Sequence, residues 1–447
     1  MNVRFPTGCY CDIRLETVDE TTLQATLGRW EQIRERTYRA AFVRLYDGAR
    51  WFYASTTEPD SVQAEVDRLA AMATPNARIE EDPVVTLLET NTGDHRSFDG
   101  AADVSGLPLD EKRDLLSGYF PRIDGKPYVE MWRANYVDRH VTKEFVSSKG
   151  ADLVFDYQRA GLRVGFQLAN GEDKFSERFD SASNTFEALA DFDERISTAY
   201  DESVAFLLDA KTIDPGDYPT VLSPEAAGVF AHESFGHKSE SDFMVGDEAM
   251  KREWQIGKQV GSPILSIIED GTKPGVGYVP FDDEGTKARE NYLVRDGVLT
   301  GRLHSAVTAA SLGEGLTGNA RAKDFEYEPI VRMTTTYIDK GTDTVEDLIA
   351  GVDNGVLVKS IKHGSGMSTF TMAPSLAYAI RDGKRAEPIK VSVVTGNVFQ
   401  TLNDIDGLSD SVTLLSFALG GCGKMEQFPL PVGFGGPWVR VRSLAVR

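Results

Sequence analysis

The sequence has few cysteines and no long apolar run, and each shortage excludes a class of protein. Three cysteines among 447 residues are too few, and odd in number, for a disulfide scaffold. No run approaches the roughly 18 apolar residues of a membrane span. Polar residues interrupt the first 16 positions, where a secretory signal needs an apolar stretch. We therefore expect a protein of the reducing cytoplasm that contacts no membrane.

Positive charge is also scarce. The 48 lysines and arginines are outnumbered by 69 aspartates and glutamates, and the net charge is −21. Because binding to nucleic acid requires basic surface, we expect no nucleic-acid partner. The hydrophobic fraction of 41% is ordinary for a soluble globular protein, and the length suffices for two or three domains with substantial cores.

A change in composition at residues 211–224, which are rich in proline and glycine, divides the chain. We predict an α+β protein, with an N-terminal α/β domain over 1–210 and a C-terminal domain over 211–447 that is richer in turns and strands. In the first domain the patterns predict helices over 21–40, 60–74, 109–118 and 181–210, a hairpin over 41–55 and strands over 129–175. In the second they predict a strand over 263–269, hairpins over 292–302 and 377–395, and a short helix over 345–350.

Two of only six histidines lie close together, in the order His232-Glu233-x-x-x-His237. Two imidazoles and a carboxylate are the groups that bind a metal and activate its water. The spacing is one residue longer than the His-Glu-x-x-His of common zinc peptidases. On a regular α-helix five residues turn about 500°, so the histidines would lie roughly 140° apart. A π-bulge absorbs one residue, so we expect an irregular helix here, eased by Gly236.

A catalytic zinc usually has three protein ligands. The motif supplies two, and Glu240, Asp242 and Cys422 are candidates for the third. Glycines on both sides of Cys422 permit a tight turn toward a metal, whereas most free cysteines are simply buried small residues. Spacing alone leaves this choice open. For His95, His140 and His304 we favour structural roles, and His304, His363 and the tyrosines are the available oxyanion donors.

Taken together, several segments resemble the TldD/PmbA family of zinc metallopeptidases, closest to its TldD-like catalytic branch. They are the histidine motif with Glu240, Asp242 and Phe243, and residues 281–286, 317–321, 329–334, 421–424 and 431–433. The resemblance implies a β-rich, barrel-like C-terminal domain that carries the metal site. It also implies Zn²⁺ held by His232, His237 and Cys422, with Glu233 as the general base.

The same resemblance implies a dimer, formed with a second copy or with a paralogue that lacks the motif, and a substrate of extended or unfolded peptide. Residues 234–236 and 363–367 depart from the pattern expected of the family. We expect Phe235 and the loop His363-Gly364-Ser365-Gly366-Met367 to narrow the substrate cleft.

The sequence thus predicts a zinc-dependent metallopeptidase in which Glu233 activates a zinc-bound water. One alternative is a catalytically silent, peptide-binding partner subunit, against which the intact Glu233 argues. Another is a DNA-associated regulator, against which the net charge of −21 argues.

Overall fold

The computed structural model describes residues 3–366 and 368–447, except for the side chain of Ala101. Its first half is built on four long strands. The strands are β1 (Tyr10–Thr26), β2 (Arg29–Tyr46), β3 (Trp51–Thr56), β4 (Thr92–His95), β5 (Val129–Ser147), β6 (Asp152–Asn170) and β7 (Asp173–Ser183). The α-helices are α1 (Val62–Ala70), α2 (Pro83–Leu87), α3 (Leu109–Gly118) and α4 (Asp193–Asp209).

These strands form one sheet in the order β3-β2-β1-β5-β6-β4, with β7 also paired to β6. All its pairings are antiparallel except that of β4 with β6. The hairpin β1–β2 turns through Leu27 and Gly28, both at positive φ. Apolar residues of α1 and α4 pack into the cores beside this sheet.

The second half has many shorter strands. They are β8 (Lys211–Thr212), β9 (Gly216–Leu222), β10 (Ile267–Asp270), β11 (Glu290–Arg295), β12 (Val298–Leu299), β13 (Ala320–Arg321), β14 (Ile330–Val331), β15 (Thr335–Ile338), β16 (Asn354–Val358), β17 (Ile361–Gly366), β18 (Thr369–Pro374), β19 (Ala377–Arg381), β20 (Lys384–Lys390), β21 (Val394–Asn397), β22 (Ile405–Leu408), β23 (Thr413–Leu415), β24 (Cys422–Lys424), β25 (Gln427–Leu430), β26 (Gly433–Gly436) and β27 (Val439–Val446). The α-helices are α5 (Pro224–Phe230), α6 (His237–Ser239), α7 (Glu248–Glu253), α8 (Ala306–Leu312), α9 (Val345–Ala350) and α10 (Val398–Asp404).

Two sheets dominate the described part of this half. One runs β12-β11-β10-β15-β26-β23, and the other runs β17-β18-β21-β27-β9-β16-β19-β20-β8, with β22 on β27. Helix α5 lies between them, and the largest hydrophobic core surrounds it. The helix approaches β26 so closely that a Cβ on Gly228 would lie 2.5 Å from the backbone nitrogen of Gly435. The predicted α+β class with a barrel-like part is confirmed, and the barrel-like part is a sheet curled into a half-barrel.

Two of the three buried acids of residues 282–284, Asp283 and Glu284, tie the two halves together. Asp283 forms ion pairs with Lys143 of β5 and Arg14 of β1, and Glu284 pairs with Arg44 of β2 at 2.9 Å. Asp282 instead accepts hydrogen bonds from backbone N–H groups, including those of Thr286 and Ala320. This segment, which contributed to the family resemblance, therefore holds the C-terminal half against the N-terminal sheet.

Most local predictions are confirmed, and two helices are wrong or too long. Residues 21–40 form the β1–β2 hairpin instead of a helix, because pairing along both strands outweighs the helical propensity of their Glu, Arg and Gln residues. The helix expected over 181–210 begins only at Asp193; residues 181–183 complete β7 and Glu187–Leu189 form a 3₁₀ turn. Across residues 3–366 and 368–447, no helix is long and apolar enough to span a membrane.

Candidate metal centre

The histidine motif lies on an irregular helix, as predicted. Ser223 caps α5 through a hydrogen bond that Oγ accepts from the Ala226 N–H, and Pro224 occupies the first helical position. The helix then widens into a π-helix over Ala231–Gly236 before α6 begins at His237. Because a π-turn spans five residues, it returns His237 to the face of His232. The two imidazole ring centroids lie 5.1 Å apart.

The two residues that precede His237 have different roles from those we expected. Gly236 has an ordinary helical φ of −56°, so a special backbone conformation is not what it provides. A Cβ there would lie 2.1 Å from Sδ of Met333, so glycine makes room for a core side chain. Phe235 is fully buried with its ring centroid 4.8 Å from that of Trp254. The expectation that Phe235 narrows the cleft is wrong, because its side chain points into the core.

Cys422 begins the hairpin β24–β25, which the flanking glycines allow to approach the helix. Gly420 has φ of +96°, and a Cβ on Gly421 would lie 2.4 Å from the carbonyl oxygen of Leu430. The buried guanidinium of Arg332 donates to the carbonyl of Cys422 at 2.9 Å and to that of Gln427 at 3.2 Å. The cysteine is therefore held by a close backbone contact and by a buried cation.

These elements bring His232, His237 and Cys422 together, with one ligand atom of each within 4.8 Å of the others. Sγ of Cys422 lies 3.4 Å from Nε2 of His237. Nδ1 of His232 is buried and finds no hydrogen-bond partner among the described residues. Two imidazoles, a thiolate and a buried nitrogen without a partner fit a zinc ion, which prefers nitrogen and sulfur ligands.

The other two candidate ligands, Glu240 and Asp242, have different partners. Glu240 is fully buried and its Oε2 lies 3.1 Å from Nδ1 of His237, the arrangement in which a carboxylate orients a metal-binding histidine. Nζ of Lys424 lies 3.1 Å from Glu240 and 2.7 Å from both carboxylate oxygens of Asp242. The geometry therefore favours Cys422 as the third ligand.

The electrostatics of this group favour a thiolate. Burial raises the pKa of the Cys422 thiol, but the charges and hydrogen bonds of His232 and His237 outweigh burial and lower the pKa to about 5. Burial lowers the pKa of His237, but hydrogen bonds to Cys422 and Glu240 raise it to about 10. Without a metal, the group thus holds a thiolate beside protonated imidazole. A bound cation would replace that proton, so metal affinity should fall as the pH falls.

Glu233 and His232 open onto a cavity of about 210 Å³ beside Cys422. One wall is the strand β17, whose residues Ile361 to Gly364 line the cavity. A Cβ on Gly364 would lie 2.5 Å from Val229 and 3.4 Å from Cγ of Glu233, so the glycine lets the strand lie against the helix. The loop predicted to shape the cleft does so through His363 and Gly364, whereas Met367 lies outside the described residues.

Sequence reasoning missed the contribution of distant residues to this cavity. Arg178 of β7 reaches it from the N-terminal half and donates to the carbonyl of Ile361 at 3.3 Å, while its guanidinium stacks over Phe417. The remaining walls are apolar, and include Val276, Pro431, Val432 and Phe434. No local pattern marks Arg178 as a residue of this cavity, because its contacts with Ile361 and Phe417 join residues far apart in the chain.

Three other histidines have structural surroundings, as expected. His140 lies between Asp103 and Asp156, His304 is bonded to Ser241 and Glu314, and His95 packs on Phe281. Within the described chain, neither these histidines nor any tyrosine lines the metal cavity. Of the residues that we considered as oxyanion donors, only His363 is among the described residues that line it.

Comparison with known proteins gives the family. A family described as "PmbA/TldA metallopeptidase C-terminal domain" matches residues 215–447, and "PmbA/TldA metallopeptidase domain 1" matches residues 11–73. The chain belongs to the PmbA/TldA metallopeptidase family. By family it is an enzyme, a hydrolase of the peptidase class.

Relatives and solved structures agree with this assignment. A metalloprotease of Synechocystis sp. is 32% identical over 98% of this chain and 94% of its own. A protein of Saccharolobus solfataricus named "zinc metalloprotease TldD homolog" is 28% identical over 72% of each chain. The fold is similar to a crystal structure from Thermotoga maritima, titled as a modulator of a DNA gyrase, with a TM-score of 0.78 at 19% identity over 98% of this chain and 96% of that one. At that identity the likeness concerns the fold alone.

Proposed function

We propose that this chain is a zinc-dependent metallopeptidase that hydrolyses peptide bonds in extended or unfolded peptides. The observation that carries the proposal is the meeting of His232, His237 and Cys422 beside Glu233 at one open cavity. The zinc assignment is supported by the donor set and by the name of the Saccharolobus relative.

In this mechanism His232, His237 and the Cys422 thiolate would hold the zinc. A zinc ion in such a site supplies Lewis acidity, which lowers the pKa of water to about 7 and polarises a carbonyl. Glu233 faces the same cavity and accepts a proton from the attacking water, then delivers it to the leaving amine. Glu240 keeps His237 in its metal-binding orientation. Apolar walls limit the access of bulk water and so strengthen these interactions.

The class of substrate is supported by the position of β17. In the described chain this strand pairs only with β18 and ends its sheet, while residues 361–364 border the cavity. An extended peptide can add to such an edge through backbone hydrogen bonds, which recognise any sequence. Most backbone groups of a folded protein are already paired within it, so we propose that unfolded or extended chains are preferred.

A dimer is proposed from the surface next to Cys422. Met425 is 77% and Phe428 59% exposed on the β24–β25 hairpin, and Phe243 nearby is 37% exposed. Such apolar groups close together mark protein contacts more often than free surface. We propose that a second copy or a paralogue covers them. Three free, buried cysteines are consistent with the reducing cytoplasm as the location.

The test is metal analysis combined with cleavage of an unstructured fluorogenic peptide. We expect one zinc per chain and cleavage that a chelator abolishes and added zinc restores. Folded protein that binds zinc and peptide without any cleavage would support a silent partner subunit instead. Folded protein that takes up no zinc would remove the metal site.

A further inference from the structure

A second and smaller cavity adjoins the metal cavity. It holds about 40 Å³ and lies between the N-terminal sheet and the C-terminal half. Val276 and Pro431 line both cavities, so one opens beside the other. We call it the basic pocket, because Arg139, Lys143, Arg159, Arg321 and Lys323 all line it. This is an unusual concentration of positive charge in a chain of net charge −21.

All the charged groups that line the basic pocket, apart from Arg139 and Arg159, already have hydrogen-bond or ion-pair partners. Lys143 is paired with Asp283, and Arg321 donates to the backbone carbonyls of Met333 and Pro431. Lys323 lies 3.8 Å from Asp324. Asp282, the other acid that lines the pocket, accepts backbone N–H groups. Neither Asp282 nor Asp283 is therefore available as a counter-ion for a further cation of the pocket.

Arg159 and Arg139 are the exceptions: neither has a carboxylate partner among the described residues, although Nη2 of Arg139 donates to the hydroxyl of Tyr38 at 3.1 Å. They lie directly opposite each other on β6 and β5, an arrangement that is unfavourable for like charges. Nε and Nη1 of Arg159, and Nε of Arg139, are buried and meet no hydrogen-bond partner among the described residues. Glu20 faces Arg139 on β1 but pairs with Arg36 at 3.6 Å. Burial, followed by the charge of Arg139, lowers the pKa of Arg159 to about 10, which is the expected consequence of a cation without a counter-ion.

We propose that the basic pocket binds a carboxylate of the peptide substrate, through Arg159 and Arg139. The carboxylate is either the free C-terminus or an aspartate or glutamate side chain close to the scissile bond. This inference rests on the proposed peptidase function, because the peptide delivers the group from the neighbouring cavity.

The chemistry and the size of the pocket support a carboxylate. The planar donors of arginine match two carboxylate oxygens, and the resulting bonds are among the stronger hydrogen bonds in proteins. A volume of 40 Å³ accommodates roughly two or three water-sized groups, which suits a carboxylate and excludes a large side chain. The negative charge of the whole chain repels free anions, whereas a carboxylate tethered to a bound peptide arrives at high effective concentration.

The experiment compares matched peptides on the zinc-loaded protein. One pair differs only in a free or amidated C-terminus, and a second pair, both amidated, differs only in a glutamate or glutamine near the scissile bond. Affinity is measured by fluorescence anisotropy with the Glu233→Gln variant, and kcat/KM is measured with the unmodified enzyme. We expect roughly ten- to hundred-fold tighter binding of the acidic member of at least one pair. The pair that shows it identifies the source of the carboxylate.

Arg159→Gln, introduced into the same Glu233→Gln background, should reduce that affinity ratio to near one. Its melting temperature should not fall, because a like-charge contact is relieved. If it fails to fold, Arg159→Lys keeps the charge without the planar donors and should reduce the ratio in part. The matched control is Arg133→Gln, an arginine on β5 that is 56% exposed, which should leave the ratio unchanged.

A ratio near one for both peptide pairs in the parent protein, or a full ratio retained in Arg159→Gln, would overturn the basic pocket as a carboxylate site. Cleavage without any acidic preference would reject this inference alone. An acidic preference in binding without cleavage of any peptide would reject the proposed function and leave the pocket assignment standing.

Discussion

At the scale of single residues, the metal centre depends on neighbours that do not themselves bind the metal. Glu240 accepts from His237 and lies beside Lys424, which in turn binds Asp242. Arg332 holds the carbonyl of Cys422. Glu240 and Asp242 therefore stand close to the site without being required as ligands. Sequence spacing could not separate these roles, because it gives no information on which atom of an acid reaches which partner.

The first prediction concerns Glu240→Gln. An amide holds the histidine less firmly and is less basic, so zinc affinity should fall about 10- to 100-fold while the protein remains folded. Competition with a fluorescent chelator measures the affinity. Asp242→Asn is the matched control, because Asp242 contacts Lys424 and not a histidine, and its effect should be clearly smaller. Equal losses in the two variants would contradict the orienting role of Glu240.

The second prediction concerns pH and Glu225. Burial raises the pKa of this carboxyl from 4.5 to about 7, although the N–H of Ile361 donates to it. The folded state therefore binds the proton more tightly than the unfolded state. The resulting stabilisation is complete below pH 4.5 and is lost as the pH rises through about 7.

Glu225→Gln should match the wild type in stability near pH 4 and exceed it at pH 8 by on the order of 3 kcal/mol, since each pKa unit corresponds to about 1.4 kcal/mol. Urea unfolding at both pH values measures this difference. Asp347→Asn, at an exposed helix cap, is the control and should gain no stability at pH 8. If the variant and the wild type differed in the free energy of unfolding by the same amount at pH 4 and at pH 8, the raised pKa of Glu225 would be contradicted.

At the scale of elements, the π-helix is what turns an extended motif spacing into one site. The sequence predicts this π-helix because five residues on a regular helix cannot bring His232 and His237 together, and the structure has it at Ala231–Gly236.

Hairpins with Asp-Gly turns were also predictable, because their signal is local. The β1–β2 hairpin was not, because its turn is Leu27-Gly28 and its stability comes from pairing between strands. Arg178 and the basic pocket depend on contacts between the halves and leave no local signal.

The third prediction tests the packing of that π-helix. Gly236→Ala would place Cβ 2.1 Å from Sδ of Met333, so either Met333 or the helix must move. We expect a loss of about 1–3 kcal/mol in the free energy of unfolding and weaker zinc binding. Gly118→Ala, at the end of α3, is the control, since a Cβ added there would meet no atom within 4 Å. Calorimetry and zinc titration measure both variants. An alanine tolerated equally at both positions would show that Gly236 is not needed for close packing.

At the scale of the whole molecule, the N-terminal sheet is part of the site and not only a support for it. Arg178 lines the metal cavity, Arg139 and Arg159 line the basic pocket, and residues 282–284 join the two halves. We keep the boundary between domains at 210/211 as a proposal. The catalytic domain alone should then be inadequate for full activity, because it lacks these side chains.

The fourth prediction concerns assembly. Light scattering should show a dimer, or a heterodimer when a paralogue is present. Met425→Asp places a charge in the exposed apolar surface beside Cys422 and should weaken the dimer. Leu208→Asp, at a position 46% exposed on α4, is the control and should not. A monomer with full peptidase activity would contradict the need for a partner.

The central claim is that His232, His237 and Cys422 hold a zinc ion while Glu233 acts as the base. The most direct measurement is zinc content and peptide cleavage for Glu233→Gln and His232→Ala side by side. Glu233→Gln should keep its zinc and melting temperature and lose about 10²–10⁴-fold in turnover, since general-base catalysis typically contributes that factor. His232→Ala should lose zinc and activity together. Full activity in Glu233→Gln, or a loss of zinc as severe as in His232→Ala, would contradict the account.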